Sequence, residues 1–134
     1  MEVAGLPIPT LAGLRVLVVE DDYFVASECA SALRDHGARV LGPVPDMSRA
    51  RATLSVAPAD CVLLDVNLKG EMVFDLAREL MGQGIPLVFT TGYDTSFLPP
   101  MLRDSPCLQK PVDTQELVSS VRRAVAAGMA GAGA

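Results

Sequence analysis

The chain has 134 residues, half of them apolar and a fifth charged, which suits one packed domain and excludes a disordered chain. A net charge of −5 argues against non-specific nucleic-acid binding, which needs clustered Lys and Arg. Three widely spaced cysteines and a single histidine form no metal-binding pattern, and we recognise neither a signal peptide nor an apolar run long enough to span a membrane. We therefore expect a cytoplasmic protein that binds neither nucleic acid nor membrane.

The first half of the chain predicts two strand–helix units that follow an extension. Residues 1–13 contain two prolines and no clear periodicity, so we interpret them as an N-terminal extension. The continuous apolar run at residues 15–19 is typical of a strand that is covered on both faces. Asp22 can cap the helix that follows, and Phe24 begins its predicted apolar face. A short strand at residues 39–42 and a second helix form the next unit.

The second half of the chain repeats this alternation. In chain order it predicts a strand at residues 61–65, a loop through Gly70, a helix carrying Val73, Leu76, Ala77 and Leu80, strands at residues 86–90 and 107–109, and a helix capped by Asp113. Three prolines within residues 93–106 forbid a long fourth helix, which we expect to be short or irregular. The Gly- and Ala-rich residues 128–134 are expected to form a flexible tail, which leaves 14–127 as the folded domain.

Strands that alternate with helices predict an α/β fold, with one parallel sheet and helices on both of its faces. In such sheets the ligand crevice lies beyond the carboxyl ends of the strands. The predicted strands end in Glu20, Asp21 and Asp22, in Asp65, in Thr91 and in Lys110. Clustered carboxylates repel one another unless a cation joins them, and oxygen ligands without His or Cys suit Mg²⁺. A nucleophilic carboxylate, a metal and a lysine together favour phosphoryl transfer.

Each of these residues also has an ordinary structural explanation. Asp22 alone is more typical of a helix N-cap than of a ligand, Asp65 alone is explained as the start of a turn, and Lys110 alone as an exposed side chain. Their order along the chain, each at the end of a predicted strand, favours the joint functional interpretation.

Four motifs at these strand ends resemble the receiver domain of bacterial two-component response regulators. They are Val18-Val19-Glu20-Asp21-Asp22, Leu63-Leu64-Asp65-Val66-Asn67-Leu68, Phe89-Thr90-Thr91-Gly92 and Gln109-Lys110-Pro111. The resemblance covers residues 14–127. It implies a flavodoxin-like, doubly wound sheet of five parallel strands in the order 2-1-3-4-5.

The resemblance also implies a role for each site residue. It makes Asp65 the phosphoacceptor, and Thr91 and Lys110 the side chains that contact the phosphoryl group. The implied Mg²⁺ ligands are Asp21, Asp65, the backbone carbonyl of Asn67, and Glu20 through water. The implied partners are a histidine kinase or phosphotransfer protein, which donates the phosphoryl group, and a downstream protein; homodimerisation is left open.

The sequence departs from the family pattern at the residues that, in the family, change conformation on phosphorylation. The family usually carries an aromatic residue three positions before the lysine, where this chain has Cys107. Gly92 replaces the usual Ala after Thr91, and Tyr93 is the nearest aromatic residue. We hypothesise that phosphorylation reorders residues 93–106; the alternative, that Tyr93 only shields the phosphoryl group from water, is equally open. The Phe-x-Thr-Gly-Tyr motif resembles a subfamily of short single-domain receivers, several of which act in bacterial stress signalling.

A phosphorylation-dependent signalling switch is the function that this set of residues favours. A pseudo-receiver, which binds proteins without taking a phosphoryl group, would not need the complete set of acceptor, metal ligands and lysine. A phosphatase would need an acid two residues after the nucleophile, and Asn67 cannot protonate a leaving group. We therefore expect no enzymatic activity beyond slow self-dephosphorylation. A receiver domain cut from a longer regulator or hybrid kinase stays open as an alternative.

Overall fold

A computed structural model describes residues 11–92 and 99–132 of the chain. In chain order its strands are β1 (Arg15–Val19), β2 (Arg39–Val44), β3 (Cys61–Asp65), β4 (Asn67–Leu68), β5 (Glu71–Met72), β6 (Leu87–Thr91) and β7 (Cys107–Gln109). Five of them form one parallel sheet in the order β2-β1-β3-β6-β7, and β4 and β5 form a separate antiparallel hairpin. Counted within the main sheet, this is the order 2-1-3-4-5, so the predicted flavodoxin-like fold is confirmed.

Four α-helices in the described part of the chain cover the sheet. They are α1 (Tyr23–Asp35), α2 (Met47–Val56), α3 (Phe74–Gly82) and α4 (Thr114–Ala132). Helices α1 and α4 pack on one face against Val16 and Val18, and α2 and α3 pack on the other face against Leu17 and Leu64. Consecutive strand residues point to opposite faces, so a strand that is covered on both faces is apolar throughout. Among the described helices, none is both long enough and apolar enough to cross a membrane.

Helices α1, α2 and α4 each begin after a capping aspartate, two of which the sequence predicted, but one aromatic residue of α1 lies elsewhere than expected. Asp22 Oδ1 accepts hydrogen bonds from the backbone N–H groups of Phe24 at 2.9 Å and Val25 at 3.1 Å. Asp46 and Asp113 accept hydrogen bonds from backbone N–H groups at the starts of α2 and α4 in the same way. Phe24 was expected on the buried face of α1 and is instead 69% exposed, because the buried face of α1 begins two residues later, at Ala26.

The described part of the segment between β6 and β7, residues 99–106, contains no α-helix. A 3-10 helix, Pro100–Leu102, stands in its place, and the buried side chain of Leu102 anchors it in the core on the side of α2 and α3. Pro99 and Pro100 lack backbone N–H groups, so an α-helix that ran through them from earlier residues would lose two of its hydrogen bonds. The short or irregular fourth helix is therefore confirmed for these residues, whereas residues 93–98 lie outside the described part.

The packed structure extends past both boundaries that the sequence predicted. Leu11 is fully buried, and its backbone N–H donates to the carbonyl of His36 at 2.9 Å, so the end of the predicted extension packs with the domain. Helix α4 continues to Ala132, so the predicted tail from Gly128 begins inside a helix. Gly128 lies close to Pro86, since a Cβ at this position would be 2.9 Å from Pro86 Cγ. Alanine-rich sequence carries no apolar period but has high helix propensity, which explains the difference.

Candidate functional site

The carboxyl ends of β1 and β3 bring three carboxylates together. The two strands are parallel neighbours with Val19 opposite Leu64, so the next residues, Glu20 and Asp65, lie side by side. One oxygen atom each from Glu20, Asp21 and Asp65 lies within 4.8 Å of the others. Glu20 and Asp65 are 5% and 4% exposed, whereas Asp21 is partly exposed. The sequence placed these same three carboxylates at one edge of the sheet.

Lys110 brings a positive charge into this cluster. Its backbone N–H donates to the carbonyl of Thr91 at 2.8 Å, which continues the pairing of β6 and β7 by one residue. Its Nζ atom lies 2.8 Å from Glu20 Oε1 and 2.8 Å from Asp65 Oδ2. Burial lowers the pKa of Lys110, but the hydrogen bonds and charges of Asp65 and Glu20 outweigh burial and raise it. The side chain is therefore an ammonium at neutral pH.

The Glu20 carboxyl is strongly affected by its burial. Burial raises the pKa of Glu20 to about 7, against the lowering effects of Lys110 and of the Asp22 backbone N–H, which donates to Glu20 Oε2 at 3.0 Å. Glu20 Oε1 forms an ion pair with Lys110 Nζ at 2.8 Å, and among the described residues no other donor reaches this buried oxygen. A carboxylate oxygen with a single ion-pair partner still has a lone pair for a bound cation or for a water molecule on that cation.

Both oxygen atoms of the Asp65 carboxylate are engaged. Oδ2 contacts Lys110, and Oδ1 accepts a hydrogen bond from the backbone N–H of Asn67 at 3.1 Å. The carboxylate faces a cavity of about 610 Å³. Its lining residues are Glu20, Asp21, Asp22, Asp65, Asn67, Lys69, Gly70, Gly92 and Lys110. Asp65 is therefore held in one orientation at a cavity whose lining is mostly polar.

The β4–β5 hairpin forms one side of this cavity. The backbone N–H of Lys69 donates to Asp21 Oδ2 at 3.0 Å, and Asn67 Oδ1 accepts a hydrogen bond from the Gly70 N–H at 2.7 Å. The Asn67 side chain thus closes the hairpin turn. A metal contact by the Asn67 backbone carbonyl remains a prediction.

Thr91, predicted to contact the phosphoryl group, and Cys107, predicted as a switch residue, are not among the residues that line this cavity. Thr91 is the buried last residue of β6. The next residue, Gly92, is one of the residues that line the cavity. Cys107 pairs with Phe89 across β6 and β7 and packs half-buried in the core on the side of α2 and α3. Burial raises the pKa of its thiol to about 11. Cys107 is therefore a core residue in this structure, and Tyr93 lies outside the described residues.

Lys69, Gly70 and Gly92 line the cavity, although none of them was predicted as a site residue. The stretch through Gly70 was predicted as a loop, because Lys-Gly is not the Asn-Gly or Asp-Gly pair that marks a two-residue hairpin turn. The glycine itself was the available signal, since its φ of 86° lies in the left-handed region that glycine adopts readily.

The ligand atoms of the cavity fit a hard divalent cation. Its lining offers carboxylate, amide and backbone oxygens, and it contains no histidine or cysteine. Three clustered carboxylates outnumber the single ammonium of Lys110, which among the described residues is the one partner of Glu20 Oε1. These features favour a bound cation, and Mg²⁺ matches them because it binds oxygen ligands while it keeps several waters.

The chain is similar to known proteins over most of its length. The sequence model of the response regulator receiver domain matches residues 16–122. The transcriptional regulatory protein PdtaR from Mycobacterium tuberculosis is 28% identical over 115 residues, which cover 83% of this chain and 56% of PdtaR. The chain spans about half the length of the curated relatives that it matches.

Solved structures share the same architecture. The solution structure of SdrG from Sphingomonas melonis Fr1 matches with a TM-score of 0.74 at 30% identity, and the match covers 87% of this chain and 98% of SdrG. The crystal structure of the response regulator PhyR from Brucella abortus matches with a TM-score of 0.79 at 22% identity, over 97% of this chain and 55% of PhyR. The similarity to PhyR shows the fold alone.

Proposed function

Because the chain belongs to the response regulator receiver family of two-component signalling, we propose that it is a phosphorylation-dependent switch whose acceptor is Asp65. One observation carries this proposal: Lys110 Nζ lies 2.8 Å from Asp65 Oδ2, beside a cluster of three carboxylates. A pseudo-receiver takes no phosphoryl group, so it would not require a nucleophilic carboxylate, a lysine ammonium beside it and two further carboxylates in one cavity.

The proposed reaction moves a phosphoryl group from a phosphohistidine to Asp65. A carboxylate oxygen of Asp65 attacks phosphorus, the bond between phosphorus and the histidine nitrogen breaks, and the released imidazole takes a proton from water. The Asn67 N–H holds the attacking carboxylate in place through Oδ1. Lys110, which contacts Oδ2 before the reaction, is close enough to pair afterwards with a phosphoryl oxygen.

We propose that the carboxylates of this cavity hold Mg²⁺, which would neutralise negative charge on the phosphoryl oxygens when bound. Its proposed ligands are Asp21, Asp65, the backbone carbonyl of Asn67, and Glu20 through water. The clustering of three carboxylates around the single ammonium of Lys110 supports this assignment.

We propose that Thr91 and Lys110 contact the attached phosphoryl group and that the signal leaves through residues 93–106. Thr91 ends β6, next to the cavity-lining Gly92. In the described part of the segment, residues 99–106, the Leu102 side chain is buried and there is no α-helix. A rearrangement of these residues would therefore break few backbone hydrogen bonds. The alternative is that Tyr93 only shields the phosphoryl group from water.

The proposed phosphodonor is a histidine kinase or phosphotransfer protein, and two exposed aromatic residues support an approach along the start of α1. Tyr23 and Phe24 are 86% and 69% exposed, directly after the cavity-lining Asp22. Large apolar side chains exposed beside a polar site are typical of a protein contact surface. A downstream protein partner and a cytoplasmic location belong to the same proposal.

We propose that the protein does not turn over an external substrate. Loss of the phosphoryl group from Asp65 would need water to be activated, and the residue two positions after the acceptor is Asn67, whose amide is neither a general acid nor a general base. Slow self-dephosphorylation is the activity that remains.

The experiment that tests this function is incubation with Mg²⁺ and phosphoramidate, a small phosphodonor, followed by intact mass measurement. The expected result is one added phosphoryl group per chain, which disappears when EDTA replaces Mg²⁺. A wild-type protein that stays unmodified under conditions in which a known receiver domain is modified would favour the pseudo-receiver.

A further inference from the structure

The β4–β5 hairpin contains a backbone conformation that stands out in the described part of the chain. Its two-residue turn, Lys69–Gly70, has φ angles of 51° and 86°, and Lys69 is the only non-glycine residue there with positive φ. Two consecutive positive φ angles define a type I′ turn, which Asn-Gly or Gly-Gly would form with less strain. A lysine persists in this conformation only where surrounding contacts hold it.

Hydrogen bonds and packing hold this hairpin at both ends. The Lys69 N–H donates to Asp21 Oδ2 at 3.0 Å, across 48 residues of sequence, and the Gly70 N–H donates to Asn67 Oδ1 at 2.7 Å. Leu68 is 2% exposed, so its side chain fixes the hairpin in the core. At the base, the N–H of Asn67 donates to Asp65 Oδ1 at 3.1 Å. The hairpin therefore connects the acceptor carboxylate with the Asp21 carboxylate.

The hydrogen bond from the Lys69 N–H determines the orientation of the Asp21 carboxylate in the cavity. Asp21 is partly exposed, so its side chain would lose rotational freedom on binding a cation unless another contact had already fixed it. The Lys69 N–H holds one of its two oxygens, which leaves the other for a cation. The N–H points at Asp21 only while the turn keeps its left-handed conformation.

We propose that the Lys69–Gly70 turn is a positioning strap, which orients the Asp21 carboxylate for the divalent cation through the Lys69 backbone N–H. This inference rests on the proposed function, because it concerns the cation of that site. Lys69 is a positioning residue here, and its ammonium is not required. The conformational preference of the turn then sets the affinity of the site for Mg²⁺.

Gly70→Ala tests the strap, and Gly84→Ala is its matched control. Both glycines have similar positive φ, 86° and 78°, and a Cβ added at either meets no atom within 4 Å, so both substitutions strain the backbone without a clash. Gly84 lies in the turn between α3 and β6, outside the cavity lining. We expect calorimetric titration to show Mg²⁺ affinity about fivefold weaker for Gly70→Ala and unchanged for Gly84→Ala. Equal affinities for the two variants would overturn the strap.

Lys69→Gly separates the backbone from the side chain. It keeps the N–H donor and suits the left-handed turn better than lysine, so we expect Mg²⁺ affinity within about twofold of the wild type. A loss as large as that of Gly70→Ala would assign the effect to the lysine ammonium and contradict a backbone strap.

Amide hydrogen exchange tests the strap without metal. The Lys69 amide should exchange at least about tenfold faster in Asp21→Ala than in the wild type, because its acceptor is gone. Equal exchange in the two proteins would overturn the contact. A wild type that binds no Mg²⁺ would contradict the proposed function instead, and the exchange measurement would still decide whether the hairpin holds Asp21.

Discussion

Lys110 Nζ lies 2.8 Å from Asp65 Oδ2, so the proposed nucleophile and the proposed phosphate-binding cation are in contact before any phosphoryl group is present. The same ammonium lies 2.8 Å from Glu20 Oε1. One lysine ammonium therefore pairs with two buried carboxylates. A bound cation or an attached phosphoryl group would change the charges that surround this ammonium, so metal binding, protonation and phosphorylation are coupled in one cluster.

Replacing Asp21 is expected to weaken Mg²⁺ binding at least about tenfold, because an ion held by few carboxylates depends on each of them. Asp22→Ala is the matched control. Asp22 also lines the cavity, but its carboxylate caps α1, so its loss should lower stability by about 1 kcal/mol and leave Mg²⁺ affinity nearly unchanged. Calorimetric titration of Asp21→Ala with unchanged Mg²⁺ affinity would count against the metal assignment.

The raised pKa of Glu20 predicts a pH-dependent stability of the metal-free protein. This pKa is about 7 in the folded protein and near 4.5 in the unfolded chain, so between these pH values the folded state binds more protons. The free energy of unfolding should therefore fall as pH rises from about 4.5 through 7, by an amount on the order of 2 kcal/mol.

Glu20→Gln carries no titrating group at this position and should lack that part of the fall. Urea unfolding of both proteins in EDTA, at several pH values between about 5 and 8, measures the difference. Parallel pH profiles for the two proteins would show that Glu20 titrates normally.

Phe24→Ala is expected to slow phosphoryl transfer from a donor protein about tenfold and to leave phosphorylation by phosphoramidate unchanged. An exposed aromatic side chain at the cavity edge would contact a protein partner but not a small donor. Val56→Ala is the control, because Val56 is 84% exposed at the end of α2, away from the cavity lining. Equal transfer rates for both variants would place the donor elsewhere.

The switch hypothesis predicts that beryllofluoride, a mimic of the phosphoryl group, changes amide exchange within residues 93–106. The reason is that this segment follows Thr91 and has no α-helix in its described part. Exchange measured with and without the mimic decides the question. Unchanged protection, together with a shorter phosphoryl lifetime for Tyr93→Ala than for the wild type, would instead support a shielding role for Tyr93.

The sequence predicts the carboxylate cluster because one topological rule determines it. Continuous apolar runs identify parallel strands, and residues that follow such strands meet at one edge, as Glu20, Asp65 and Lys110 do. The hairpin was missed because its Lys-Gly turn is not a common hairpin pair and because it is held by Asp21, which lies 48 residues away in the sequence. Phe24 was misplaced because helical periodicity alone does not define which residues of the first turn face the sheet.

Borohydride trapping shows which residue accepts the phosphoryl group, which we propose to be Asp65 alone. Borohydride reduces an aspartyl phosphate to homoserine, which peptide mass analysis then locates in the chain. After treatment with Mg²⁺ and phosphoramidate, we expect homoserine at position 65 in the wild type and at no position in Asp65→Asn. Homoserine at Asp21 or Asp22 in the wild type, or a phosphoryl group retained by Asp65→Asn, would contradict this assignment.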